Sequence, residues 1–306
     1  MRSHTTGHFP QIRFFDGQKW LFNPILKKRF ANRPEERVRL QYVEFLLRET
    51  AVTKNRIGFE APVKAYARDN SLRADLVIYD QEIAPMALIE CKSGRIKLNA
   101  NTAEQAARYN LTLQADFMMI TNGHSDFWYK KENKTVSAIQ NHPFKQAKTP
   151  INSPRTAAYW INRGFIDSDL PHELSEYASA FLNSAFSKSD SSTSTYLNLP
   201  SDIADVPLNH FYRVEHHDEN SQLAVSLAAS PGQTVFAAML NRDGQNRGIL
   251  WLPFRDLLGS ERPGAQLLTP AGKTSVHIPD EAITHFNNPS ESAIKKLTNQ
   301  LIILFD

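Results

Sequence analysis

Leu72-Arg-Ala-Asp-Leu-Val-Ile-Tyr-Asp80, followed by Met86-Ala-Leu-Ile-Glu-Cys-Lys-Ser93, is the stretch on which the fold turns. Each half is a short, mostly apolar run rich in branched side chains, which reads as a strand with a buried face. Each is interrupted by charge, at Asp75 in the first and at Glu90 and Lys92 in the second. Working outward, Phe59 to Ala67 reads as a preceding strand. Asn101-Thr-Ala-Glu104 resembles a capping box and predicts a helix to about Ala115. Phe117 to Thr121 (FMMIT) reads as a buried strand, Asn122-Gly123 as a turn, and Ser125 to Lys131 as a closing strand. Upstream, Pro34 suits a first helical turn, and Val38, Tyr42, Phe45 and Leu46 recur at helical spacing, predicting a helix over 34–50. Asp16-Gly17 between two apolar-aromatic runs predicts a hairpin. Helix, three strands, helix and two strands imply an α/β fold with one central mixed sheet flanked by helices.

Strand side chains alternate, so Glu90 and Lys92 project to one side while Cys91 turns to the other, where it reads as a small buried apolar residue. Asp75 on a neighbouring strand would bring a second carboxylate to Glu90. Two convergent carboxylates are costly unless a cation compensates them. Hard divalent ions such as Mg²⁺ favour such oxygen-rich sites, and a metal there suits phosphodiester hydrolysis. Glu-x-Lys is common by chance, and a salt-bridged strand at a sheet rim is the plain alternative.

Charge is divided along the chain. Residues 1–150 carry 24 Lys and Arg against 15 Asp and Glu, and residues 151–306 carry 11 against 17. A basic half beside an acidic half suggests that the first faces a polyanion. Six basic residues fall between Lys27 and Arg39, including Lys28, Arg29, Arg33 and Arg37, although a solvated charged face would look the same. The single cysteine excludes an intrachain disulfide and points to a reducing compartment. No apolar run is long enough for a membrane span and the start lacks a signal-peptide core, so a cytoplasmic protein is expected.

The expected layout is a catalytic domain over 1–150, a helical connector over 151–186, a polar linker over 187–197 (SKSDSSTST within it) and a β-rich α+β domain over 198–306. The last has no legible role and is the place left for a protein partner or a second copy of the chain. Gly272-Lys273-Thr274 looks like the end of a phosphate-binding loop, but Leu267 stands where that motif needs glycine.

The segments RPEERVR, RADLVIYD, ALIECKS, QAARYN and ITNG, in this order over about residues 30–131, resemble the N-terminal nuclease domain of type I restriction enzyme R subunits, a branch of the PD-(D/E)xK superfamily. The resemblance implies a restriction-endonuclease-like core. It implies Mg²⁺ held by Asp75 and Glu90 with the Cys91 carbonyl, with Mn²⁺ able to substitute, and Lys92 positioning the attacking water. Glu36, with Glu35 as alternate, would assist from the first helix. Gln105 and Tyr109 would steady the site and touch the DNA backbone. Ala74-Asp75 stands for the superfamily's Pro-Asp. Arg73, Arg95, Lys97 and Arg108 would surround the site and contact phosphates, and Lys27, Lys28 and Arg29 would add affinity for the DNA backbone. R subunits continue into an ATP-driven translocase that has no counterpart here. The expected function is therefore a Mg²⁺-dependent DNA nuclease without its own motor, in restriction, phage defence or repair. A non-catalytic nucleic-acid-binding or partner-recruiting module on the same fold is the alternative.

Overall fold

The computed structural model describes residues 2–63, 72–99, 104, 107–108, 110–111, 113–133, 135–146, 155–187, 194–196, 208–259 and 263–306. They form two compact units, Met1–Gln11 with Trp20–Ser153, and Ile12–Lys19 with Pro154–Asp306. A short sheet of β1 (Gln11–Phe15), β2 (Gln18–Asn23) and β3 (Lys28–Phe30) contains the expected hairpin, with Asp16 and Gly17 both at positive φ. That conformation is the one a two-residue hairpin turn requires.

The first unit is built on α1 (Pro34–Glu49) and a six-stranded sheet of β4 (Ile57–Val63), β5 (Leu72–Tyr79), β6 (Pro85–Cys91), β7 (Phe117–Thr121), β8 (Asp126–Glu132) and β9 (Thr135–Ile139), in that order. All neighbours pair antiparallel except β6 and β7, which run parallel. A parallel pair needs a crossover. The described residues 104, 107, 108, 110, 111 and 113 of the intervening segment are helical, while Gln105 and Tyr109 lie outside the described residues. Asn110 closes that segment onto β7: its side chain donates to and accepts from the Ala115 backbone, at 2.9 and 2.8 Å.

Alternation along β5 and β6 separates two cores. Leu76, Ile78, Ala87 and Ile89 join Val38, Tyr42, Phe45 and Leu46 of α1, together with Met119 and Trp128. Val77 and Leu88 pack with Ala115 and Ile120 in the other. Cys91 lies in the α1 core, as a buried apolar residue. Residues from Glu36 to Leu46 are buried almost all round the helix, so α1 is a central element and not a surface one. β9 was not anticipated, because four of its five residues (TVSAI) are exposed and give no apolar alternation.

The second unit carries a seven-stranded antiparallel sheet in sequence order: β10 (Ser194–Tyr196), β11 (Phe211–His216), β12 (Ser221–Ser230), β13 (Gln233–Arg242), β14 (Gln245–Pro253), β15 (Gly264–Thr269) and β16 (Gly272–His277). β10 arises within the stretch read as a linker. The helical connector expected over 151–186 contains α2 (Ala157–Ile161) and α3 (His172–Ala185). The break is at Gly164, whose φ of +70° ends the first helix and whose carbonyl accepts from Ala229 N–H. Helices α4 (Phe254–Gly259), α5 (Asp280–Asn287) and α6 (Glu291–Leu301) complete the unit. Phe181, Phe236 and Phe286 stack together, tying α3, β13 and α5. Gly272-Lys273-Thr274 opens an exposed strand and forms no phosphate-binding loop. Among the described residues no helix is long and apolar enough to cross a membrane.

Candidate functional site

The β5–β6 ladder pairs Leu76 with Ile89, and one step on stand Asp75 and Glu90. There the Cys91 N–H donates to Asp75 Oδ2 at 2.7 Å, so a side chain and not a strand carbonyl takes up the backbone donor. Lys92, just past β6, is anchored by its own N–H to the Thr121 carbonyl of β7 at 2.8 Å. Its Nζ donates to Glu90 Oε1 at 2.8 Å, which places Lys92 and Glu90 on one side as alternation requires.

Glu90 is buried, and its second oxygen, Oε2, has no hydrogen-bond partner among the described residues. Burial, and next the neighbouring Asp75 carboxylate, push the Glu90 pKa up to about 7 against the opposing pull of Lys92. Asp75 is also raised by burial, with the Arg39 guanidinium and the Cys91 N–H opposing the rise. Burial weighs against the charge of Lys92, but Glu90 and Asp75 outweigh it and hold the ammonium above its usual pKa. Lys92 is therefore a cation and hydrogen-bond donor at neutral pH, not a base.

Helix α1 brings a third carboxylate. Pro34 starts the helix and Glu35 and Glu36 fill its first turn, where the helix dipole favours negative charge. Glu36 is buried, with Oε1 unpartnered, and burial raises its pKa to about 7 in spite of Arg39. Glu35 is exposed and acts on Asp75 and Glu90 only through its charge. Of these two, Glu36 is the one that α1 turns inward.

The basic segment requires a correction. Lys27, Lys28 and Arg29 are exposed, and Arg29 lies over the Trp20 ring, 5.6 Å from its centroid. Arg37 and Arg39, counted with them, do not face outward. Arg37 is buried and donates to the Asn32 carbonyl and side chain. Arg39 turns into the carboxylate cluster, with Nη2 2.7 Å from Glu36 Oε2, Nη1 3.2 Å from Glu60 Oε1 and Nε 3.8 Å from Asp75 Oδ1. Arg73 is exposed and stands 3.8 Å from Glu60 Oε2. Arg95 and Lys97 are exposed, and Arg108 is exposed and pairs with Glu104.

Glu60 and Arg39 are the residues that sequence reasoning missed. Glu60 has φ +50°, a strained conformation for a residue with a side chain, and lies in β4 between Phe59 and Ala61, whose ladder partners Leu76 and Ala74 flank Asp75. The one legible signal was that Arg39 follows Glu36 by three positions, on one helix face.

Among the described residues no three His, Cys, Asp or Glu side chains converge as a metal-holding group. Asp75 and Glu90 are two carboxylates, and a third protein ligand would have to come from the backbone, as the Cys91 carbonyl could. The donor chemistry fits a hard divalent ion: oxygens only, one buried and unpartnered, with protonation favoured by excess negative charge.

Residues 34–143, from the start of α1 past the end of β9, match the family model described as Type I restriction enzyme R protein N terminus. The match covers 110 of the 306 residues and includes Glu36, Arg39, Glu60, Asp75, Glu90 and Lys92. No curated protein and no solved structure matches the chain.

Proposed function

We propose that the first unit is a Mg²⁺-dependent DNA nuclease of the PD-(D/E)xK type, serving restriction or a related cytoplasmic defence or repair role. The observation that carries this reading is the pair Asp75, within β5, and Glu90, near the end of the adjoining β6. One buried oxygen there is uncompensated, and Lys92 is locked onto the other oxygen of Glu90. The family match supports it.

Asp75, Glu90 and the Cys91 carbonyl would hold the ion, and Mn²⁺ would take the same ligands. When bound, the ion polarises the phosphoryl oxygen and makes water a stronger nucleophile at neutral pH. Lys92, fixed by Glu90 at one end and by β7 at its backbone, donates to the attacking water and offsets charge that grows on the phosphoryl oxygens. The Cys91 N–H fixes the Asp75 carboxylate. Glu36, with one free oxygen, holds water at the α1 side. Gln105 and Tyr109 would support the site and the DNA backbone. Arg73, Arg95, Lys97, Arg108, Lys27, Lys28 and Arg29 would supply phosphate contacts, with affinity falling as salt rises.

The test is incubation of the full chain with linear duplex, single-stranded and supercoiled DNA in Mg²⁺, Mn²⁺ or EDTA. Cleavage should require the metal, and Lys92→Ala should lower its rate by at least about 10²-fold. Cutting by that variant at the wild-type rate refutes the assignment. DNA binding that ignores the metal, with no product in any lane, returns the non-catalytic alternative.

A further inference from the structure

Arg39 stands among the carboxylates as a fixed cation. Beyond its approaches to Glu36, Glu60 and Asp75, its guanidinium lies over the Phe59 ring at 4.7 Å from the centroid. Its side chain is only 11% exposed. Arginine does not give up its proton in proteins, so this positive charge is permanent.

Among the described residues, the charges nearest the site can be counted. Glu35, Glu36, Glu60, Asp75 and Glu90 are five carboxylates, and Arg39, Arg73 and Lys92 are three cations, which leaves two negative charges when all are ionised. One divalent ion neutralises that remainder. A second would drive the cluster to two positive charges with Arg39 in place, or would have to expel the guanidinium from its three acidic partners and from Phe59. The distribution agrees with the count. The Glu36–Glu60 side already has its cation in Arg39, and among the described residues Glu90 Oε2 has no hydrogen-bond partner.

We propose that Arg39 is a built-in substitute for a second metal ion: it fills the Glu36–Glu60 side, so that the site takes one divalent ion at Asp75 and Glu90. This rests on the nuclease reading of the same site and specifies its metal stoichiometry. Arg39 is thus a positioning residue, setting the number of ions and the orientation of Asp75.

The experiment is a titration of the full metal-free chain with Mn²⁺, counting bound ions by electron paramagnetic resonance, with no DNA present. The wild type should bind one ion. Arg39→Gln, which keeps polarity and loses the charge, should bind two. Arg39→Lys should return to one. Near-ultraviolet circular dichroism checks that each variant is folded, and the wild-type count is a test that needs no variant. Two ions in the wild type, or one in folded Arg39→Gln, overturns the role of Arg39 while leaving metal-dependent cleavage standing. No ion bound by the wild type overturns both this inference and the metal-dependent reading beneath it.

Discussion

Each unit holds an ion pair of residues two apart, on or just past a strand, and the two pairs are differently built. In the second unit Arg213 and Glu215 on β11 meet, the Arg213 Nε donating to Glu215 Oε1 at 2.7 Å, with the Arg213 side chain 3% exposed. In the first unit Lys92 and Glu90 also meet, at 2.8 Å, but Asp75 stands against Glu90, and Arg39 links Asp75 to Glu36 and Glu60. A matched buried pair serves the fold, because losing either partner strands a charge. A cluster with surplus carboxylate is unstable as it stands and is relieved by a proton or a cation. Shifted carboxylates of this kind gather where chemistry is done. The contrast sets the candidate site of the first unit apart from the Arg213 pair, which reads as structural.

The largest expected break of this contrast is Arg213→Ala. It leaves Glu215 unpaired inside the sheet and should cost about 3–5 kcal/mol, read as a lowered denaturation midpoint in urea with or without Mg²⁺. A loss under ~1 kcal/mol would mean that the pair is not structural.

Next is the opposite sign at the other pair. Folded Glu90 has its pKa raised to about 7 from 4.5, so the folded chain holds that proton more tightly than the unfolded chain does. The resulting stability is full below about pH 4.5 and is lost as pH rises to about 7. Glu90→Gln should remove much of this slope and make the metal-free protein more stable above pH 7, on the order of 1–3 kcal/mol. Thermal unfolding of both proteins between pH 5 and 8 measures it, and parallel curves would contradict the crowding. Mg²⁺ should stabilise the wild type at the upper end of that range and leave Glu90→Gln little changed.

The smallest effect serves as a control. Ser290 caps α6, its Oγ accepting from Ala293 N–H at 3.1 Å. Ser290→Ala should lower stability by about 1 kcal/mol, equally at all pH values and without regard to metal. A pH-dependent loss there would show that the contrast between the units is not local.

Much of the first unit is legible from local pattern. Pro34 and the apolar spacing after it mark α1, and the runs holding Asp75, Glu90 and FMMIT mark β5, β6 and β7, because burial on a sheet leaves its imprint in consecutive residues. β9 leaves no such imprint, since most of its side chains face water. The helical connector was legible from its amphipathic spacing, but its division near Gly164, at positive φ with its carbonyl held by Ala229 N–H, was not.

The candidate site divides in the same way. Asp75, Glu90 and Lys92 could be picked out in the sequence because charge in an apolar strand is conspicuous and alternation assigns its side. The inward turn of Glu36 rather than Glu35 was decided by how α1 packs, since both occupy the first turn with similar chemistry. Arg39 and Glu60 were decided by tertiary structure alone. One lies in a basic run and the other at an unremarkable strand position, 21 residues apart, and only the packing of α1 beside β4 and β5 makes them partners. Sequence spacing determines which residues share a face of one element. Which faces meet, and so which charges must neutralise each other, is settled by burial of the cores between elements, which is a property of the whole folded unit.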